Sequence, residues 1–336
     1  MKGRIIAAFA VVYLVWGSTY LGIRWAVETL PPFLLTGTRF LVAGALLYVW
    51  ARMRGAPAPE RRTWLPALGI GTLLVTGGNG LVVWAEQRVP SGLAALIVAG
   101  MPLWVAVFER VSPGGKPLSA ARVIGLLVGF AGLALLLTGR TGETGACPGA
   151  LSGCAEGRAP VSLLYLLALP VASISWALGS VVSRRVTLPA DKVLASATSM
   201  LAGGGVALAL GLAGGELEGF DPARVSAASL AAWAYLVVFG SMLAFTCFTW
   251  LVSVVEPTRV ATYAYVNPVV ALLLGAWLAH EPLGVRTLVA TPMILLSLVL
   301  VLRSGAAPAQ PRPADQSGGP SSGRNVTRAP ATDPVS

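Results

Sequence analysis

The chain has 336 residues, of which 55% are hydrophobic and only 11% charged, and its mean hydropathy is +0.75. A composition this apolar excludes an ordinary water-soluble domain and is typical of a protein that crosses a membrane. The formal net charge of +10 does not indicate a nucleic-acid partner, because the basic residues are distributed over separate loops instead of forming one face.

Apolar windows long enough to cross a lipid bilayer, about 20 residues each, recur along the chain. A segment that spans lipid must satisfy its own backbone hydrogen bonds, so each window is predicted to be a helix even where it contains Gly or Pro. The sequence therefore predicts an all-α polytopic membrane protein with ten transmembrane helices, at residues 5–23, 33–51, 64–85, 91–108, 121–138, 161–182, 193–212, 228–252, 260–278 and 285–302.

The distribution of Lys and Arg predicts the orientation, because basic residues concentrate in cytoplasmic loops. Most of the 24 Lys and Arg residues fall on the side that carries both termini, so both termini are predicted to be cytoplasmic. Residues 140–159 then form an external loop, in which Cys147 and Cys154 either form a disulfide or stay as two separate thiols. Residues 305–336 are rich in Pro, Gly and Ser and are predicted to be a disordered cytoplasmic tail.

The two halves of the chain resemble each other. At an offset of 160 residues Trp16 matches Trp176, and similar matches continue along both halves. Each half has five predicted spans, so the second half enters the membrane from the opposite side, which makes residues 1–139 and 160–304 inverted repeats. Inverted repeats are typical of secondary transporters, whose substrate site lies near the bilayer midplane between the halves.

Polar and aromatic side chains deep in a span are expected to face another helix or a water-filled cavity, because lipid-facing surfaces are apolar. Such side chains cluster in the first, third, sixth, eighth and ninth spans. We expect the aromatic side chains to hold the apolar part of a small-molecule substrate and the polar side chains to orient its polar groups. The predicted substrate-binding residues are Trp16, Thr19, Tyr20, Asn79, Trp84, Glu86, Trp176, Ser180, Trp250, Tyr263 and Asn267.

Two charged residues each have two interpretations. Glu86 could lie in a partly buried vestibule and attract a cationic group or take up a proton, or it could pair with Arg88 among the lipid headgroups. Arg39 lies six residues inside the second span. It could bind an anionic group of the substrate, or it could snorkel outward or anchor its helix by bonding to carbonyl groups.

The ninth span contains the stretch TYAYVNPVVALLLGAW, residues 262–277. Tyr263 and Asn267 lie one helical turn apart on one face, and this face is predicted to contact the substrate. Pro268, which is matched by Pro102 in the first half, lacks a backbone donor and predicts a kink beside the cavity.

Signatures of soluble catalysis are missing from the sequence. His280 is the only histidine, which excludes a histidine-rich metal site, and no Walker A motif could hold ATP. Uphill transport would therefore use an ion gradient or a partner. We predict no catalytic residues, no metal and no cofactor, so the chain is not expected to be an enzyme. A lipid-modifying enzyme would need a cluster of acids, histidines or a nucleophile, and only His280-Glu281 is present.

Four motifs resemble the EamA-domain transporters of the drug/metabolite transporter superfamily, most closely its YedA-type bacterial exporters. In chain order they are WGSTYLGIRWAVETLPPFLLTGTRFL, GGNGLVVWAEQRVPSG, SISWALGSVVSRRVTLP and TYAYVNPVVALLLG, and the resemblance covers residues 5–303. It implies ten helices with cytoplasmic termini, inverted five-helix repeats, and a central cavity lined by spans one, three, four, six, eight and nine. Members of this family export amino acids, metabolites or toxic compounds. One departure is Lys116, where such proteins often have a glutamate.

We therefore expect a multi-pass protein of the bacterial inner membrane that exports small metabolites, amino acids or drugs by alternating access. Its partners would be a small-molecule substrate and the lipid bilayer, with proton coupling as the mechanism to test. Two alternatives fit the same sequence. The chain could be an uptake permease of the same fold, or a non-transporting membrane sensor or scaffold with a collapsed interior.

Overall fold

The structure is a computed structural model that describes residues 2–111, 119–137, 162–255, 260, 263–281 and 283–303. This described part of the chain is helical and contains no strand. Cys147, Cys154, Lys116 and the predicted tail lie outside the described residues.

Ten long helices, α1 to α10, follow one another along the described residues, and a single 3₁₀ turn, Pro222–Arg224, lies between α7 and α8. Three of them consist of consecutive segments, which are given together. The helices are α1 (Lys2–Ala26), α2 (Pro32–Met53), α3 (Arg61–Gly71, Thr72–Gly80 and Leu81–Glu86), α4 (Ser91–Val98 and Met101–Val111), α5 (Ala120–Leu137), α6 (Leu163–Ser183), α7 (Lys192–Ala213), α8 (Ala227–Tyr235, Leu236–Leu243 and Ala244–Val254), α9 (Tyr263–Leu278) and α10 (Val285–Arg303).

Each of the ten predicted windows falls on one of these helices. Seven helices, α1 to α4 and α6 to α8, are long and apolar enough to cross a membrane by length and composition. Within α5, α9 and α10 the apolar stretches are shorter, at 10–17 residues. The all-helical, multi-pass class is therefore confirmed, whereas a count of ten membrane crossings stays a prediction.

Local sequence signals set where several helices begin. Asp191 Oδ1 accepts a hydrogen bond from the backbone N–H of Leu194 at 2.8 Å, and Ser226 Oγ accepts one from Ser229 at 3.0 Å. These caps satisfy backbone donors that would otherwise lack a partner in the first turns of α7 and α8. Pro32 begins α2, a position where its missing backbone donor is not needed.

Two glutamates of the second half cap helices of the first half. The carboxylate of Glu281 accepts hydrogen bonds from the first two backbone N–H groups of α4, at 2.7 and 3.0 Å. The carboxylate of Glu216 does the same for the second and third residues of α2, at 3.1 and 2.8 Å. A negative charge is favourable there because the helix N-terminus presents free N–H groups and the positive end of the helix dipole. These bonds tie the two halves together.

The packing pattern is the same in both halves. Helix α1 packs against α9 and α8, and its counterpart five helices later, α6, packs against α4 and α3. Helix α2 packs along its own counterpart α7, and α5 packs along its counterpart α10. Exchanging each of these helices for its counterpart therefore reproduces these principal contacts.

Glycine allows the closest of these contacts, where α3 crosses α7. A Cβ atom added at Gly71 would meet the backbone of Ser199 and Gly203, and one added at Gly203 would meet the backbone of Gly71. Five residues further along α3, Thr76 Oγ1 donates a hydrogen bond to the backbone oxygen of Gly203 at 2.8 Å. In lipid the hydrophobic effect does not drive helices together, so their association depends on van der Waals packing. Small residues strengthen this packing because they let the two backbones approach closely.

Glycine also allows close packing between α5 and α10. Gly125 and Gly129 of α5 lie directly against Ser297 of α10, so that added Cβ atoms would come within about 3 Å of this helix. This pair of small residues therefore serves packing within the chain.

Candidate functional site

Two inner helices contain π-helical segments at corresponding positions of the two halves. These segments are Thr72–Gly80 in α3 and Leu236–Leu243 in α8. A π-helix bonds each residue to the one five positions later, and such segments occur frequently at functional sites. The sequence analysis did not predict them. The only signal was the run of glycines TGGNG in α3, which has no equally clear match in α8.

The two matched tryptophans each lie against the π-segment of the opposite half. Trp16 Nε1 donates a hydrogen bond to the backbone oxygen of Gly240 in α8 at 3.2 Å. The ring of Trp176 lies against Gly78 in α3, where an added Cβ would come within 2.6 Å of the ring. The internal repeat that the sequence indicated is therefore also a repeat of contacts across the interface between the halves.

An aromatic cluster surrounds Trp16. Its ring lies 5.2 Å from Tyr263 and 5.1 Å from Phe248, and the rings of Tyr263 and Phe248 are 5.7 Å apart. Trp250 packs, half-buried, on the same group of residues. Thr19 donates its hydroxyl to the backbone oxygen of Trp16 at 2.6 Å. The structure thus brings four predicted site residues together with Phe248, which the sequence analysis missed.

Asn267 joins this cluster to α1. With its amide nitrogen facing two backbone oxygens, the side chain donates to Tyr263 and to Tyr13, at 3.2 Å each. Asn267 is buried, so its amide serves a helix–helix contact in this conformation. Helix α9 runs unbroken across Pro268, and the predicted kink stays a prediction, whereas α4 is interrupted just before Pro102.

Glu86 is completely buried. Its side chain is 0% exposed, and neither carboxylate oxygen has a hydrogen-bond partner among the described residues. Arg88 is exposed, so the alternative of a surface pair between Glu86 and Arg88 is wrong. The guanidinium of Arg24 donates to the backbone oxygen of Glu86 at 2.9 Å instead of to its carboxylate. The charges of Glu281, Arg24 and Arg39 also act on Glu86.

Arg39 is also buried, at 4% exposure, which excludes outward snorkelling. Its Nε donates to Ser241 Oγ in the π-segment of α8 at 2.9 Å, and its guanidinium lies 4.7 Å from the ring centre of Phe40. Its Nη1 has no hydrogen-bond partner among the described residues. Gly240 leaves space for this guanidinium, because a Cβ there would come within 3.2 Å of Nη2.

A second aromatic group lies beside Glu86. Trp84 stacks on Tyr165 of α6 with ring centres 4.3 Å apart, and Tyr20 and Tyr263 pack against the same buried cluster. Trp84 and Tyr165 also line an open cavity of about 780 Å³ between the ends of α1, α3 and α7 and the start of α2. Tyr263 belongs to both aromatic groups and so connects them.

The remaining predicted site residues lie where α3 packs against α6. Ser180 donates to the backbone oxygen of Trp176 at 2.8 Å, within its own helix. Asn79 makes only a long contact of 3.5 Å to the backbone oxygen of Leu74. The hydroxyl of Ser175, which the sequence analysis did not single out, donates to Leu73 across the interface at 2.7 Å. Among the described residues no group of three or more His, Cys, Asp and Glu could hold a metal ion.

Comparison with known proteins adds to this geometry. The model of the EamA-like transporter family matches residues 3–138 and again residues 163–303. The chain is 39% identical over 298 residues to "Uncharacterized inner membrane transporter YedA" of Escherichia coli (strain K12), covering 88% of this chain and 90% of that protein. It is 26% identical over 300 residues to "Uncharacterized transporter YvbV" of Bacillus subtilis (strain 168), covering 89% and 92%. A solved crystal structure with 23% identity and a TM-score of 0.58, covering 89% of this chain and 98% of that chain, shares the fold.

Proposed function

This chain belongs to the EamA-like transporter family and is a multi-pass membrane protein, and we propose that it exports small metabolites, amino acids or drugs across the inner membrane by alternating access. The inner-membrane location follows the name of its YedA relative. The relatives are named as transporters and not for a reaction, which supports a non-enzymatic function.

The proposed architecture is ten membrane-spanning helices in two inverted repeats, residues 1–139 and 160–304, with both termini cytoplasmic. The two separate matches to the family model support the repeat, and the contacts that recur when helices are exchanged support its symmetry. In alternating access, one half would rock against the other around a fixed substrate site.

The observation that carries the proposal is the buried carboxylate of Glu86, which has no hydrogen-bond partner among the described residues. A charged side chain inside a membrane protein is expensive unless it has a partner, and such residues mark substrate or ion pathways. A substrate or a proton would supply the partner that Glu86 lacks among the described residues. We place the substrate between the two aromatic groups, in contact with Trp16, Tyr20, Trp84 and Tyr263.

Proton coupling follows from the same residue. A carboxylate that is fully enclosed can carry either a proton or a cationic group, and exchange between the two would couple export to the proton gradient. Tyr20 and Glu281 lie within electrostatic range of Glu86, as do Arg24 and Arg39. No ATP-binding motif is present in the sequence, so a gradient is the simplest source of energy.

Transport by the purified full-length chain in proteoliposomes tests the proposal. We expect at least one solute from a panel of amino acids, sugars, polyamines and cationic dyes to move against its gradient when a pH gradient is imposed. Protein-free liposomes are the control. Movement only in the direction of uptake would favour the permease alternative, and no movement of any solute under any gradient would contradict a transport function.

A further inference from the structure

The walls of the open cavity are predominantly acidic. Glu28, Glu216 and Asp221 line it together with one basic residue, Arg224, which forms an exposed ion pair with Asp221 at 3.4 Å. A cleft lined mainly by one sign of charge concentrates ions of the opposite sign. The cavity therefore favours cations over anions.

Two residues of the cavity wall lie close to Glu86 in the sequence. Trp84 and Gln87, which flank Glu86 in the sequence, both form part of its wall. The carboxylate itself is buried, and its oxygens have no hydrogen-bond partner among the described residues. Glu86 itself does not line the cavity, but it lies in the sequence between two residues that do.

The charged neighbours of Glu86 already have partners of their own. Arg24 donates to the backbone oxygens of Glu86 and Gln87, at 2.9 and 3.4 Å, and Arg39 donates to Ser241. Glu281 accepts hydrogen bonds from the start of α4. Glu86 differs from these three residues, because neither of its carboxylate oxygens has a hydrogen-bond partner among the described residues.

Aromatic residues lie near Glu86, because Trp84 is two residues away in α3 and the charge of Glu86 acts on Tyr20. Trp84 and Tyr165 stack at 4.3 Å, and Tyr20 packs on the same buried cluster. The face of an aromatic ring attracts cations within about 6 Å and simultaneously buries an apolar body. A carboxylate combined with such rings is suited to a quaternary or alkyl ammonium ion that carries an aromatic or aliphatic group.

We infer that the solute carried by this chain is an organic monocation with an apolar body, which contacts the aromatic group around Trp84 and pairs with Glu86. This inference rests on the proposed transport function and adds the chemical class of its substrate. Arg39 has one nitrogen, Nη1, without a hydrogen-bond partner among the described residues, and this nitrogen could bind a carboxylate. An anion would, however, have to pass the acidic walls of the cavity. Anions and zwitterions are therefore competing outcomes of the test.

Three probes that share a phenyl ring separate these classes by charge. They are benzyltrimethylammonium, phenylacetate and the zwitterion phenylalanine, and their binding to the full-length chain in lipid nanodiscs is measured by titration calorimetry. We expect benzyltrimethylammonium to bind at least about tenfold more tightly than the other two, a difference of about 1.4 kcal/mol. Its affinity should fall as the pH is lowered, because a protonated Glu86 no longer attracts a cation. Tighter binding of phenylacetate or phenylalanine would overturn the inference.

Substitutions assign the binding to Glu86. We expect Glu86→Gln to weaken benzyltrimethylammonium binding at least about tenfold, and Glu86→Asp, which keeps the charge, to retain more of it. Glu109→Gln is the matched control, because Glu109 is exposed and paired with Arg184 at 2.7 Å. Equal affinity in wild type and Glu86→Gln would overturn the inference. If other solutes are transported while the cation does not bind, the transport function stands and only the substrate class is wrong.

Discussion

Replacing Glu86 with glutamine is expected to abolish the response of transport to a pH gradient. Glutamine has nearly the same shape as glutamate but cannot carry a proton, so binding of the substrate would no longer be linked to proton release. The side chain is fully buried and unpaired among the described residues, so removing its charge also removes a cost of burial. The variant should therefore fold, and the measurement is solute flux in proteoliposomes with and without an imposed pH gradient.

Two variants complete this experiment. Glu86→Asp keeps an acidic group and should retain a gradient response, and Glu109→Gln changes an exposed carboxylate and should behave like wild type. Downhill exchange of solute by Glu86→Gln would show that the variant still binds and moves its substrate. A gradient response in Glu86→Gln equal to that of wild type would remove Glu86 from the coupling mechanism.

Adding one methyl group where α3 crosses α7 is expected to destabilise the protein strongly. Gly71→Ala and Gly203→Ala each place a Cβ atom against backbone that cannot rotate away, so the two helices must separate. Overpacking of this kind typically costs about 1–3 kcal/mol. Separation would also stretch the hydrogen bond from Thr76 to Gly203 and displace the adjacent π-segment of α3. We expect reduced unfolding stability together with loss of transport.

The chain provides matched controls two residues away on the same helices. Apart from the nearby backbone of its own helix, an added Cβ at Gly69 of α3 or at Gly205 of α7 would have no atom within 4 Å. Gly69→Ala and Gly205→Ala should therefore leave stability unchanged or raise it slightly, since alanine favours helix over glycine. Chemical unfolding in detergent micelles measures all four variants. If Gly71→Ala and Gly203→Ala were as stable as the two control variants, the close approach of α3 and α7 would not be required for stability.

Hydropathy alone predicted most of the fold. The window at residues 33–51 corresponds to Pro32–Met53, and that at 193–212 to Lys192–Ala213, because a membrane-spanning segment must be both apolar and long. The π-segments were not predictable in this way. A π-helix and an α-helix can have the same composition, and the difference depends on packing against neighbouring helices.

The candidate site was predicted in part. Aromatic residues far apart in the sequence, Trp16 and Tyr263, were both expected at the site and lie 5.2 Å apart. The burial of Arg39 against Ser241 was not predicted, because the sequence does not show which neighbour a helix face meets. The surface interpretation of Glu86 failed for a related reason. Its position near the end of a span suggested exposure, whereas the helices packed around it enclose it completely.

Alternating access to the interface between the halves is the central claim, and thiol labelling from each side of the membrane tests it most directly. Asn79 lies half-buried in the π-segment of α3 and makes one long hydrogen bond among the described residues. Asn79→Cys is therefore a suitable reporter once Cys147, Cys154 and Cys247 are replaced. A membrane-impermeant maleimide should label this cysteine both in right-side-out and in inside-out vesicles, and a transported solute should change the ratio of the two rates. Labelling from only one side, or from neither, under every solute and pH condition would contradict the account.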